Sequence, residues 1–173
     1  MTAFRLSLIS TGGTIEKTYD ELSGILANRV SVLDMMLAAL ELRGVRIDRV
    51  ALMSKDSLDM TAADHEAIAE CVERELGWHD GAVVVHGTDR LAVSGEAILK
   101  RLRAAGGPHK AVVLTGAMRP YELRRSDAPQ NLTEALAVVQ VLPPGVYVAM
   151  HNQVLGFPGV TKDSAQGTFV KNG

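Results

Sequence analysis

Apolar residues fall into two alternating patterns along the chain. Compact runs of β-formers occur at Phe4–Ile9, Val45–Met53, Gly81–Val85, Ala111–Leu114 and Val146–Met150, each short enough for a buried strand. Between them, Leu33, Met36, Leu37 and Leu40 recur at helical spacing, as do Ile68, Cys71, Val72 and Leu76, and then Leu91, Ile98 and Leu102. Leu132–Val141 reads as a fourth helix before the last strand. Strand and helix alternate, which predicts an α/β fold: a mainly parallel open sheet with helices on both faces. Ligands in such sheets bind beyond the carboxyl ends of the strands. Those ends here carry Thr11–Thr14, Lys55–Met60, His86–Asp89 and Thr115–Pro120.

Thr61-Ala62-Ala63-Asp64 has the form of a helix N-cap, since the threonine hydroxyl accepts a first-turn N–H and an acid favours that end. Asn28–Val30 and Gly106-Gly107-Pro108 read as connectors. The stretch Glu16–Leu26, with several turn formers and weak apolar periodicity, reads as a mobile loop and a candidate lid. No internal repeat or interdomain linker is visible, so 173 residues are expected to form one domain.

A net charge of −2, with acids and bases interspersed, offers no basic field for nucleic acid or an anionic membrane. Small or neutral partners are favoured. Cys71 is the only cysteine, which excludes an internal disulfide or thiolate cluster and agrees with a reducing compartment. The segment from Met1 to Leu6 is too short in its apolar part for a signal peptide, and no run has the length of a membrane span. The expectation is a cytoplasmic protein.

The candidate chemistry lies in two glycine-kinked, hydroxyl-rich turns. Ser10-Thr11-Gly12-Gly13-Thr14 closes the first strand and His86-Gly87-Thr88-Asp89 closes the third. Glycine at such a bend lets backbone N–H groups and a small nucleophile approach a ligand closely. Thr14 is either a nucleophile or a turn residue. A threonine hydroxyl needs a base or a cation beside it, and Thr88-Asp89 brings a second hydroxyl with a carboxylate. Asp89 has a structural alternative as a cap of the following helix. Lys110 opens a strand, remote from the loops; Lys162, in a late polar turn after Gly159-Val160-Thr161, is the better catalytic lysine. A desolvated amine there either deprotonates a hydroxyl or stabilises its alkoxide.

Other chemistries lose support. Gly12-Gly13 lacks the third glycine of a dinucleotide fingerprint, no glycine-lysine phosphate loop occurs, and His65-Glu66 is not followed by a second histidine one turn later. No cofactor and no metal are expected. The five histidines are scattered, and His86 is assigned the simpler task of ordering its own turn.

Taken jointly and in order, Thr11-Gly12-Gly13-Thr14-Ile15, Asp56-Ser57-Leu58-Asp59-Met60, His86-Gly87-Thr88-Asp89 and Gly116-Ala117-Met118-Arg119-Pro120 resemble the bacterial-type L-asparaginases. The similarity continues through Arg125–Leu132 to Val160-Thr161-Lys162, nearly the whole chain. The resemblance implies cofactor-free hydrolysis of L-asparagine to aspartate and ammonia through a threonine nucleophile and an acyl-enzyme. It implies Thr14, Tyr19, Thr88, Asp89 and Lys162 as catalytic residues, with Thr14 matching the usual nucleophile. Gly13, Asp56, Ser57, Leu58, Gly87 and Ala117 are the implied substrate contacts. Tyr19 matches by residue type more than by spacing.

Two positions depart from the family pattern: Arg90 stands where a threonine is usual, and Leu58 where a glutamine or serine is. Family members typically carry a C-terminal domain that supplies an acid to the substrate amine. With the chain ending at Gly173, the resemblance is to the short, single-domain form, with Glu16, Asp20 and Glu21 as candidates for the missing acid and a homo-oligomer, dimer or tetramer, expected. Two alternatives stand beside hydrolysis: an ammonia-supplying subunit of a tRNA-dependent amidotransferase, and a non-catalytic amino-acid-binding or regulatory module.

Overall fold

A computed structural model describes residues 3–27 and 31–171. In chain order the elements are β1 (Phe4–Gly12), β2 (Thr18–Asp20), β3 (Ile25–Ala27), α1 (Leu33–Ala38), β4 (Val45–Lys55), α2 (Ala62–Leu76), β5 (Gly81–Val85), α3 (Leu91–Ala104), β6 (Ala111–Thr115), α4 (Ala128–Val138), β7 (Gly145–Met150), β8 (Gln153–Gly156), β9 (Val160–Asp163) and β10 (Thr168–Lys171). Six strands form the main sheet in the order β4-β1-β5-β6-β7-β8. The first five are parallel, and β8 folds back antiparallel on β7. The chain therefore reverses its direction of growth between β1 and β5. That switch point is where an open α/β sheet leaves a crevice at its carboxyl edge.

Alternate residues of each strand serve the two faces, and the helices divide accordingly. On one face Ile9, Val84, Leu114 and Val148 pack with Ile68 and Val72 of α2 and Ile98 of α3. On the other, Leu8, Val83, Val85 and Val113 pack with Met36 of α1 and Leu132 and Leu136 of α4. Both faces being covered, β5 and β6 are buried at every residue, and this is why their sequences are unbroken apolar runs rather than alternating ones. The predicted fold class is the observed one.

Local signals behave as read. Thr61 and Asp64 form a reciprocal capping box at the start of α2. Lys110 donates to the carbonyls of Leu76 and His79 at 2.7 Å each, at the sheet edge opposite the turns. Three differences matter. The fourth helix begins at Ala128 rather than Leu132, because Pro129 falls in its first turn, where a missing N–H costs nothing. The Glu16–Leu26 segment is not an irregular loop: β2 and β3 pair as an antiparallel hairpin, Tyr19 opposite Leu26. Lys162 lies not in a turn but in β9, paired with Phe169 of β10. The expected connector at Asn28–Val30 lies outside the described residues. Among those described, no helix is long and apolar enough to cross a membrane.

Candidate active site

The turns after β1, β4, β5 and β6 meet at the switch point, and glycines set how closely. Gly13 has φ 85°, a conformation that side chains resist, and a Cβ placed on it would lie 2.4 Å from the Gly87 nitrogen and 2.5 Å from the Gly87 Cα. The two hydroxyl-bearing turns thus touch backbone to backbone. A Cβ on Gly87 would in turn lie 2.6 Å from Ser57 Oγ, and one on Gly116 would lie 2.3 Å from the His86 carbonyl and 3.3 Å from Thr88 Cγ2. Four loops are joined through three glycines.

Further bonds lock each loop. Gly13 N–H donates to the Lys55 carbonyl at 2.9 Å, where β4 slips register against β1 so that Gly12 faces Lys55. Thr11 Oγ1 donates to the Val85 carbonyl at 2.9 Å, tying the ends of β1 and β5. Thr14 then opens a single 3-10 turn, Thr14–Glu16. The Gly116–Arg119 loop is held by a nearly buried carboxylate: Asp127 accepts the N–H groups of Met118 and Arg119 at 2.9 Å each, the Asn131 amide at 2.9 Å and the His151 ring at 2.8 Å. Burial pushes the Asp127 carboxyl up, but these donors outweigh it and hold the group below its ordinary range.

Lys162 reaches the site from β9. Its ammonium donates to Thr88 Oγ1 at 2.9 Å and to Asp89 Oδ1 at 2.7 Å. Asp89 is thus turned to Lys162, and the alternative reading of it as a cap is not realised: α3 has no side-chain cap. The hydroxyl of buried Ser57 takes part of that duty by accepting the Arg90 N–H at 3.4 Å. Arg90 itself is exposed.

The remaining expected residues are placed less centrally. Asp56 caps the short turn Ser57–Asp59 by accepting the Leu58 N–H at 3.1 Å, and it pairs with Lys17 at 2.6 Å. The Lys17 bond, with the Leu58 N–H, lowers its pKa. Lys17 was not singled out from sequence, and its isolated position in a polar stretch gave no signal. Leu58 and Tyr19 are both 60% exposed, and Tyr19 is anchored by its backbone N–H, which donates to Glu122 at 2.6 Å. Ala117 is fully buried beside Gly116. Of the acids considered for a substrate amine, Glu16 is turned inward, its pKa raised by burial against the opposing pull of Ser31, Arg49 and the Gly12 N–H. Asp20 instead accepts from Leu22 N–H and the Ser23 hydroxyl within the hairpin turn, and Glu21 is exposed.

His86 is fully buried behind the second turn. Nδ1 lies 2.8 Å from the Gly87 carbonyl and Nε2 lies 2.7 Å from Ser94 Oγ. Burial lowers its pKa to about 4, against the pull of the Gly87 bond and with a further push from His65.

The model of the Asparaginase, N-terminal family matches residues 5–169. The L-asparaginase of Thermococcus kodakarensis is 31% identical over 163 residues, covering 94% of this chain and 49% of that one. Its solved structure superposes with a TM-score of 0.84, covering 96% of this chain and 51% of that chain. A probable cytoplasmic L-asparaginase from Campylobacter jejuni superposes at 0.79 with 26% identity, covering 97% and 51%. A glutamyl-tRNA(Gln) amidotransferase component from Saccharolobus islandicus is 32% identical over 149 residues, 84% of this chain and 33% of that one. The chain spans about half the length of the asparaginases it matches.

The buried imidazole has a consequence for stability. A histidine whose folded pKa lies below its unfolded one favours folding fully above pH 6.5 and loses that contribution as pH falls toward 4, because the unfolded chain takes up the proton first. The loss is on the order of 3 kcal/mol. Glu16, with its raised pKa, slopes the opposite way above pH 4.5, and Asp56 and Asp127, with lowered ones, act below about 3.8. Denaturant titrations of wild type and His86→Asn should therefore differ most steeply between pH 6.5 and 4, wild type losing more; parallel curves would show that His86 is not held neutral.

Proposed function

The chain belongs to the asparaginase family through that family's N-terminal domain, and on that premise we propose that it hydrolyses the side-chain amide of L-asparagine to aspartate and ammonia through a threonine acyl-enzyme. The observation that carries the reading is the pairing of two threonine turns across the Gly13–Gly87 contact, with Lys162 already bonded to Thr88 and Asp89.

In this scheme Ser57, Asp89 and loop N–H groups hold the amino-acid end of the substrate, with Asp56, Leu58 and Ala117 completing the walls. Fixing the amide between Thr14 and Thr88 supplies much of the rate by removing the cost of encounter. Thr14 Oγ1 bonds to the amide carbon while its proton passes to the amide nitrogen; the C–N bond breaks and ammonia leaves. Water then cleaves the ester, returning the proton to Thr14 and releasing aspartate. The tetrahedral oxyanion is met by backbone N–H groups near Thr88 and Ala117. Lys162 bridges Asp89 and Thr88, and an ammonium on Thr88 Oγ1 makes that hydroxyl a better proton donor or, once ionised, a stabilised alkoxide. Tyr19, on the hairpin above the first turn, is proposed to close over the nucleophile.

The residues described form a six-stranded main sheet with a core on each face and two smaller two-stranded pairs, and we propose that they act as a single N-terminal-type catalytic domain without a cofactor, in the cytoplasm as for the Campylobacter jejuni relative. A homo-oligomer, dimer or tetramer, is part of the proposal; light scattering that returned the mass of one chain would contradict it.

Ammonia release from asparagine and from glutamine, with folding checked by circular dichroism, tests the assignment. Thr14→Ala should lower kcat at least about a thousandfold, and Lys162→Met about a hundredfold or more. Thr88→Val should fall with Lys162→Met, and the double variant should be no worse than the poorer single one. Near-normal turnover in Thr14→Ala removes it as nucleophile. Calorimetric binding of asparagine by wild type with no ammonia release would instead indicate a binding module.

A further inference from the structure

Behind the second turn lies a row of polar groups that the proposed chemistry does not use. His65 of α2 and Ser94 of α3 are buried, with His65 Nδ1 at 2.7 Å from Ser94 Oγ, and Ser94 Oγ at 2.7 Å from His86 Nε2. The two imidazoles lie nearly parallel, 14° apart, with centroids at 6.3 Å. The row ends on the Gly87 carbonyl, 2.8 Å from His86 Nδ1.

Its direction follows from valence alone. A carbonyl oxygen can only accept, so His86 Nδ1 carries a proton. The imidazole is fully buried with no carboxylate bonded to it among the described residues, so a charged ring is disfavoured and Nε2 is bare. Ser94 must then donate its single proton to His86 Nε2, and its oxygen must accept from His65 Nδ1–H. His65 is left with a bare Nε2, and that atom is buried with no partner. The opposite direction would put a proton on His65 Nε2, an unpaired buried donor, and would require a cationic His86. Burial, and after it the nearby Arg90, disfavours added positive charge on His65, against a weaker pull from Asp64.

We propose that His65, Ser94 and His86 form a one-way hydrogen-bond chain that positions the Gly87–Thr88 peptide. A trans peptide directs its C=O and N–H to opposite sides, so holding the Gly87 carbonyl toward His86 directs the Thr88 N–H away from it. Under the asparaginase reading, on which the catalytic part of this inference rests, that N–H is one of the oxyanion donors. The three residues are positioning residues: none touches the reacting atoms. No sequence signal marks the chain, because its members stand on three elements and each looks like an isolated polar residue on a helix or turn.

The decisive test is a long-range ¹H–¹⁵N spectrum of the uniformly labelled full chain near neutral pH. It should show both His65 and His86 protonated at Nδ1 and bare at Nε2, the tautomer that a free histidine side chain disfavours. A proton on His86 Nε2 overturns the chain, and this readout needs neither a variant nor activity. In Ser94→Ala the Thr88 amide resonance should shift or split, whereas an unchanged single resonance overturns the positioning role. Kinetically, Ser94→Ala should lower kcat about tenfold, short of the hundredfold or more that follows outright loss of an oxyanion donor. KM should stay within about twofold, and Ser94→Thr, which keeps the hydroxyl, should recover most of the rate. Wild-type kcat in folded Ser94→Ala, or a loss borne by KM, overturns it. Should wild type release no ammonia at all, the asparaginase reading fails while the tautomer and amide signals still decide the chain.

Discussion

The site depends on a contact that contains no side chain. Gly13 and Gly87 stand so close that a methyl group on Gly13 would overlap the Gly87 backbone, and Gly13 holds a φ that favours glycine. Because β1 and β5 are parallel neighbours at the switch point, their carboxyl ends already lie side by side. The missing Cβ of Gly13 allows the turns to close on each other, and that of Gly87 admits Ser57, so the backbone contact lies one residue before Thr14 in one turn and one before Thr88 in the other. The chemistry proposed for the threonines is a consequence of that spacing.

Around the contact, polar groups do the work of fixing orientation, and they do it from inside the protein. Asp127 binds two successive N–H groups of the Gly116–Arg119 loop, and His86 binds the carbonyl of Gly87. Each is buried and each has its pKa lowered: against burial Asp127 is held as carboxylate by its donors, while burial holds His86 as neutral imidazole against the pull of its Gly87 bond. The only cation bonded to either threonine among the described contacts, Lys162, is brought by a strand from outside the main sheet. Loop shape is thus set by the core, while the cation beside Thr88 comes from a later part of the chain.

Much of this was legible in the sequence, for identifiable reasons. The strands of a sheet covered on both faces must be continuous apolar runs, so β5 and β6 could be bounded closely, and the rule for ligand position in α/β sheets then pointed to four turns that the structure brings together at the switch point. What sequence did not show depends on pairing across distance. The β2–β3 hairpin has only three residues in each strand and weak alternation, so it read as a loop. Lys162 read as a turn residue because its strand is short and pairs with a segment of no marked pattern. The His65–Ser94–His86 row and the Lys17–Asp56 pair are contacts between single polar residues on separate elements, which no periodicity reports. α4 starts one turn ahead of Leu132, at Ala128, with Pro129 in that first turn.

The central claim is that backbone contact between two glycine turns creates the catalytic crevice. Its most direct measurement is ammonia release from asparagine by Gly13→Ala, with cooperative unfolding confirmed in the same preparation. The account predicts a folded protein whose kcat/KM has dropped by more than about a hundredfold, because the added methyl must part the turns and misplace both threonines. Wild-type turnover in that variant would mean that the two turns need not touch for the reaction to proceed.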